Sequence, residues 1–239
     1  MAKITKIFIS GKIANLISYE RNGTPCVRTM PEEVKQTKAT IRSAQNFGKA
    51  VRIAKFMRWG LESVIPPIKG RYVEYRMNDA VAQWLTSVKP GKNNTESDLS
   101  ELCPLGFNKG IALSSVIKCP LEADWTPNGI VTLQLPAIIP NKNIKAPSHT
   151  RQLHWAITIT GSMINKPESV GSYTASFDMD YNDTPLPAQS IALPFRLRHG
   201  SINVIGLSVQ YSAIRKGKKK RIMDDGWLPA GIISALHYK

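Results

Sequence analysis

Residues 153–160 read Leu-His-Trp-Ala-Ile-Thr-Ile-Thr, a run rich in β-branched and aromatic side chains that contains no Gly or Pro. This composition predicts a β-strand. Similar runs, separated by Pro, Gly, Asn and Asp, occupy residues 129–135, 173–179, 203–213 and 232–238. Because short strands alternating with turn residues are typical of antiparallel β-sandwiches, we predict an Ig-like or jelly-roll-like sandwich over residues 111–239.

Toward the N-terminus the spacing of apolar residues changes. Residues 37–63 contain no Pro, and their apolar side chains recur at spacings of three, four and seven: Ala44, Phe47, Val51, Ala54 and Leu61. This spacing predicts an α-helix that buries these five side chains. Pro66-Pro67 ends this helix, and a second one is predicted over residues 71–88.

The first thirty residues predict a β-hairpin, preceded by a short strand. Asn22-Gly23 lies between two β-rich segments, and this dipeptide adopts the positive φ angles of a tight two-residue turn. The hairpin spans residues 16–28. The predicted fold class is therefore α+β, with a basic hairpin-plus-helices region over residues 1–90, a linker over 91–110 and the β-sandwich domain over 111–239.

The N-terminal segment also resembles a known group of proteins. Ser10-Gly11-Lys12-Ile13, then Tyr19, then Arg21-Asn22-Gly23 and Val27-Arg28, followed by Gln36-Thr37, resemble the opening of an uncharacterised bacterial protein family. The resemblance covers roughly the first 60 residues and implies a hairpin followed by a basic helix. Members often have Gly where this chain has Ala14. No activity comes with the resemblance.

Composition excludes several classes of protein. The chain has 239 residues, of which 42% are hydrophobic and 21% charged, as in ordinary globular proteins. No signal-peptide or membrane-spanning pattern is predicted, since the apolar runs are too short. The three cysteines, Cys26, Cys103 and Cys119, are widely spaced and form no C-x-x-C pair, so we predict free thiols and a cytoplasmic location.

Positive charge is the most unusual property of the sequence. The net charge is +15, and residues 1–90 hold 16 Lys and Arg against 6 Asp and Glu. On a helical wheel, four cations fall on one face of the first predicted helix: Lys38, Arg42, Lys49 and Arg52. A second group is a run of six cations in seven residues: Arg215, Lys216, Lys218, Lys219, Lys220 and Arg221. We predict that both groups bind an anionic partner.

Catalytic and metal-binding patterns are missing from the sequence. The four histidines stand far apart, and His154 is interpreted as a residue on a sheet face. The segment 178–183 has carboxylates at alternate positions, but it lacks the Gly and the final Glu of an EF-hand loop. Four aromatic residues near the basic helix are interpreted as core rather than as stacking platforms: Trp59, Tyr72, Tyr75 and Trp84. We therefore predict no cofactor, no metal and no enzymatic activity.

These observations favour a non-enzymatic structural or interaction protein. It would form a homo-oligomer or dock onto a larger protein assembly through β-rich surfaces, and its basic face would contact an acidic partner. The alternative is a nucleic-acid-binding protein without strong sequence specificity, because the predicted basic helix offers Lys and Arg for phosphate contacts and only Gln45 and Asn46 as candidate readers of base edges. Membrane binding is not predicted.

Overall fold

The computed structural model describes residues 3–5, 8–31, 35–68, 70–87, 99–126, 130–215 and 218–239. The chain divides into two units, Met1–Ser43 and Ala44–Lys239. The change in the spacing of apolar residues along the sequence predicts different domain boundaries, at residues 90 and 111. Strand is the dominant secondary structure, and the strands pair antiparallel in three sheets.

The first unit contains a four-stranded antiparallel sheet in chain order: β1 Lys3–Thr5, β2 Phe8–Ile13, β3 Leu16–Arg21 and β4 Thr24–Thr29. Arg21 pairs with Thr24, so Asn22 and Gly23 form a two-residue turn, with φ angles of 51° and 77°. Both positive angles match the turn type whose twist fits paired strands.

The preceding turn has a less favourable residue. Ile13 pairs with Leu16, so Ala14 and Asn15 connect β2 to β3, and Ala14 has a φ of 50°. This left-handed conformation costs a residue with a Cβ about 1–2 kcal/mol. A Gly at this position would avoid that cost.

No described side chain of residues 9–31 is buried. Ile13 pairs with Leu16, and Val27 pairs with Ser18, which lies two residues from Leu16 on the same strand. Because side chains alternate across a strand, Ile13, Leu16 and Val27 share one face of the sheet. All three are exposed, Val27 to 61%.

Two long helices follow, α1 over Lys38–Gly60 and α2 over Tyr72–Ser87. The Thr37 hydroxyl accepts a hydrogen bond from the Thr40 amide at 3.1 Å, an N-terminal cap for α1. The predicted buried stripe of α1 is partly wrong, because Ala44 and Phe47 are exposed, Phe47 to 55%. Ala54 and Leu61 are buried as predicted, and the other buried residues of α1 are Ala50, Ile53 and Met57. In α2 the buried residues are Met77, Ala80, Val81 and Trp84.

The second unit contains two further antiparallel sheets. One has the order β10-β7-β6, with β6 Glu122–Trp125, β7 Ile130–Leu135 and β10 Gln189–Pro194. The other has the order β5-β13-β11-β8-β9, with β12 also paired to β11: β5 Leu105–Gly106, β8 Gln152–Met163, β9 Ser169–Asp180, β11 Ser201–Arg215, β12 Lys218–Ile222 and β13 Ala230–Tyr238. Short helices α3 Leu113–Val116 and α4 Pro140–Asn143 and a 3-10 turn at Asp225–Trp227 lie between strands. Each of the five strand-like runs found in the sequence forms a strand.

Two hydrophobic clusters form the core of the second unit. The first takes side chains from both sheets, including Val131, Leu133, Trp155, Leu193 and Leu207. The second joins the helices to one sheet and includes the following residues: Ile53, Met57, Trp84, Leu105, Val204 and Ile232. Part of the surface that covers the apolar faces of the helices therefore comes from β11 and β13, which lie more than a hundred residues further along the chain.

Part of the predicted linker belongs to this second cluster. Leu102, Leu105 and Phe107 are buried, and Leu105–Gly106 pairs with β13. The prediction of a linker is therefore wrong for residues 102–107, because turn residues between the apolar side chains obscured a short buried strand. Residues 91–98 of that linker lie outside the described residues.

Glycine allows α1 to approach the sheet closely. A Cβ on Gly60, the last residue of the helix, would overlap the side chain of Thr160 on β8. A Cβ on Gly206 of β11 would lie 2.6 Å from Leu61 and 2.9 Å from Val64. Both distances are shorter than van der Waals contact, so these two positions require Gly. By contrast, Gly48 in the middle of α1 faces open space.

Within the described residues, no helix is long and apolar enough to cross a membrane. The three cysteines are free and half-buried, as the sequence predicts. Burial raises the pKa of the Cys103 and Cys119 thiols, which favours their protonated form.

Candidate functional site

The second basic group predicted from the sequence forms one strand. Lys218, Lys219, Lys220 and Arg221 are consecutive residues of β12, and all four are exposed. Arg215 ends β11 and pairs with Lys218, while Lys216 lies outside the described residues. Because side chains alternate along a strand, Lys219 and Arg221 point to one face of β12 and Lys218 and Lys220 to the other.

An open cleft of about 620 Å³ lies on the face that carries Lys219 and Arg221. Its lining includes His154, Ser176, Asp178 and Ser212. Strand order brings these residues together, since β12, β11, β8 and β9 lie side by side. Arg221 pairs with Ser212, and His154 pairs with Asp178.

A charged cluster crosses this cleft. Asp178 Oδ1 lies 2.7 Å from His154 Nδ1, and its Oδ2 lies 2.7 Å from Lys219 Nζ. An ionised carboxylate only accepts hydrogen bonds, so His154 carries its proton on Nδ1. The hydrogen bonds from Lys219 and His154 lower the pKa of Asp178, which keeps the carboxylate ionised. Asp178 thereby fixes the position of both partners.

The cleft also contains an unpartnered polar group. Ser212 is only 2% exposed, and its hydroxyl has no hydrogen-bond partner. Two residues earlier on the same strand, the side-chain oxygen of Gln210 is also buried without a partner. Buried polar groups are nearly always hydrogen-bonded in proteins, because leaving one unpaired costs about 1–3 kcal/mol.

The opposite face of β12 lines a second open cleft, of about 550 Å³. Lys220, Ile222 and Trp227 contribute to its wall, together with Asp224 and with Arg221, which lines both clefts. Lys145 lies over the Trp227 ring, 6.0 Å from its centroid, within the range of a cation–π contact. Both faces of β12 are therefore accessible to a ligand.

The cations of the first group are placed as follows. Lys38 and Arg42 are exposed and belong to the first unit. Lys49 is half-buried and Arg52 is exposed, and both belong to the second unit. All four lie on α1, as predicted.

The aromatic residues near α1 divide into two kinds. Trp84 is fully buried, as predicted, but Trp59 is 61% exposed and Tyr75 63% exposed, so the interpretation of these two as core is wrong. Their spacing places Trp59 and Tyr75 beside the apolar positions of a helix, but it does not show whether they lie on the buried or the exposed side of those positions. Trp59 stacks edge-on with Phe56, and Lys55 Nζ lies 4.5 Å from its ring centroid.

Sequence reasoning treated His154 and the Asp178 segment separately and placed His154 correctly on a strand. It missed their contact, and it also missed the buried Ser212. Only the alternating pattern of the strands signals which residues share a face, and strand order is not visible in one sequence. Among the described residues, no cluster of His, Cys, Asp and Glu could hold a metal ion.

Comparison of this chain with protein-family models and with curated proteins gave no match.

Proposed function

We propose that this chain is a non-enzymatic interaction protein that self-associates through its N-terminal sheet. The observation that carries this proposal is the exposed apolar face of that sheet, formed by Ile13, Leu16 and Val27. Sheets with an apolar face are stabilised when another layer covers that face. Within the chain, none of these three side chains is buried.

In this proposal the N-terminal sheet makes the contact between copies, and the second unit of each copy is carried into the assembly by that contact. We propose that its two sheets form a β-sandwich, in agreement with the hydrophobic cluster that both of them share. Its basic edge strand is a poor surface for joining copies. Lysines on an edge strand oppose pairing with a second strand, and β12 carries three consecutive lysines.

Light scattering over a range of protein concentrations tests self-association. We expect the wild-type chain to form an oligomer in the micromolar range, and we expect Val27→Lys to remain monomeric because a charge would be buried in the contact. Thr24→Lys is the matched control, since it adds the same charge to the same strand on the opposite face. A wild-type chain that stays monomeric up to millimolar concentration would contradict the proposal.

A second candidate function is binding of nucleic acid through β12. The observation that favours it is the run of four exposed cations, of which only Lys219 pairs with a carboxylate among the described residues. Phosphate contacts make binding strongly salt-dependent, with a log–log slope of about −0.9 per contact for duplex DNA.

A salt titration of duplex DNA binding tests this candidate and assigns the surface. One variant carries Gln at Lys218, Lys219, Lys220 and Arg221, and the other carries Gln at Lys38, Arg42, Lys49 and Arg52. If β12 binds the backbone, only the first variant loses most of the salt dependence. Equal losses in the two variants would instead indicate that total charge, and no particular surface, determines binding.

A further inference from the structure

We propose that the cleft between β12 and β9 is a binding site for a single phosphate group, held by Arg221, Lys219 and Ser212. This inference goes beyond self-association and beyond binding of a nucleic-acid backbone, because it concerns one site for one anionic group. It rests on three independent properties of the cleft: its shape, its donors and its unpartnered hydroxyl.

The shape comes from the strand register. Ser212 lies opposite Arg221 on one side of β11, while His154 lies opposite Gln210 on the other side. The four strands therefore present polar side chains on one shared face, and the hydrogen bond between Lys219 and Asp178 crosses that face. The resulting space of about 620 Å³ easily contains a phosphate group and part of the molecule attached to it.

The donors are arranged around a neutralised carboxylate. Asp178 accepts one hydrogen bond on each oxygen, from His154 and from Lys219. Its charge is therefore balanced, and Lys219 keeps two of its three N–H donors for other acceptors. Arg221 forms no ion pair with any described residue. Its planar guanidinium group suits two-pronged binding of a phosphate.

The hydroxyl of Ser212 indicates where the phosphate would lie. Ser212 lines the cleft and pairs with Arg221 across the two strands, and its hydroxyl is buried without a partner, so the donor of this hydroxyl is unused. A phosphate oxygen within reach of Arg221 would accept that hydrogen bond. Ser176, which is exposed on the same wall, supplies a further hydroxyl at the rim.

Calorimetric titration with inorganic phosphate tests the site. We expect saturable binding by the wild-type chain and at least a tenfold weaker affinity for Arg221→Gln, because hydrogen bonds to a charged group are individually strong. Lys142→Gln is the matched control, since it removes one positive charge from an exposed residue that does not line the cleft. We expect its affinity to change less than threefold.

The variant Ser212→Ala separates a ligand-binding role from a structural one. Because the hydroxyl has no partner in the protein, its removal should leave the unfolding midpoint without phosphate unchanged or slightly higher. Phosphate affinity should nevertheless fall several-fold. A lower midpoint with unchanged affinity would assign Ser212 to the fold and would count against the site.

The source of the phosphate is distinguished with two hexathymidylates, one with a 5′-phosphate and one with a 5′-hydroxyl. Preference for the phosphorylated hexamer indicates a terminal phosphate on a nucleic acid, whereas equal weak binding of both indicates the free ion or a small phosphate ester. The inference is overturned if inorganic phosphate shows no saturable binding, or if Arg221→Gln and Lys142→Gln weaken binding equally. Neither result depends on whether the chain self-associates.

Discussion

The two units of this chain form sheets for different physical reasons. In Met1–Ser43 the strands are specified by backbone pairing and two tight turns, and no described side chain of residues 9–31 is buried. In Ala44–Lys239 the strands are specified by two hydrophobic clusters that bring together distant segments. A sheet without its own core depends on turn chemistry and on partners, whereas a sheet with a core depends on packing.

The largest expected effect is a core truncation in the second unit. Leu61 is fully buried against the sheet, so Leu61→Ala should reduce the free energy of unfolding by about 2–5 kcal/mol. In the first unit, Ile13→Ala removes an exposed side chain and should change that free energy by about 0.5 kcal/mol or less. Urea unfolding of dilute monomeric protein measures both. Similar losses in the two variants would erase the contrast between the units.

A smaller effect is expected where α1 meets β8. Gly60→Ala forces the helix away from Thr160 and should cost about 1–3 kcal/mol, like other overpacked contacts. Gly48→Ala in the same helix meets nothing within 4 Å and should stabilise by up to about 1 kcal/mol. If α1 lies as close to β8 as described, the two variants shift the midpoint of thermal unfolding in opposite directions.

The sequence predicted this packing only in part. Strand-rich runs identified five strands of the second unit correctly, because β-branched residues between turn residues are a strong local signal. The same approach assigned the core of α1 to Phe47, which is exposed, because apolar spacing alone does not show which face a sheet will cover. Asn22-Gly23 indicated a turn, but nothing local identified the strands that bring His154 to Asp178.

In the first unit, the turn at Ala14 tests how strongly turn conformation determines the stability of the sheet. Ala14→Gly relieves the left-handed conformation and should stabilise the sheet by about 1 kcal/mol. Hydrogen exchange of the amides of β2 and β3 measures this, and slower exchange is expected. Asn22→Gly is the control: Asn tolerates this conformation well, so the gain should be smaller. Equal gains at the two turns would show that the Ala14 backbone is not strained.

The smallest effect concerns pH in the second unit. Burial lowers the pKa of His237, with smaller contributions from Lys239 and His199, and the ring stacks edge-on with Trp84. The unfolded chain therefore binds the proton more readily than the folded one. Stability due to the neutral ring is complete above the unfolded pKa of about 6.5 and declines as pH falls toward the folded value.

Replacing His237 by Gln should remove that part of the decline. The measurement is the difference in unfolding free energy between wild type and variant at pH 7.5 and at pH 5. The wild type should lose more stability than the variant on acidification. An identical loss would show that His237 titrates equally in the folded and unfolded chains.

The pairing of the helices with late strands has a consequence for biosynthesis. The apolar sides of α1 and α2 are complete once residue 87 has been made, but Val204 and Ile232, which cover them, are added much later. At ordinary rates of translation, roughly six to thirty seconds separate the two events. During that time the nascent helices expose apolar surface to chaperones and proteases. A product that terminates before β11 would lack both of these strands and leave this part of the surface uncovered, so premature termination there should yield insoluble or degraded fragments rather than a smaller folded protein.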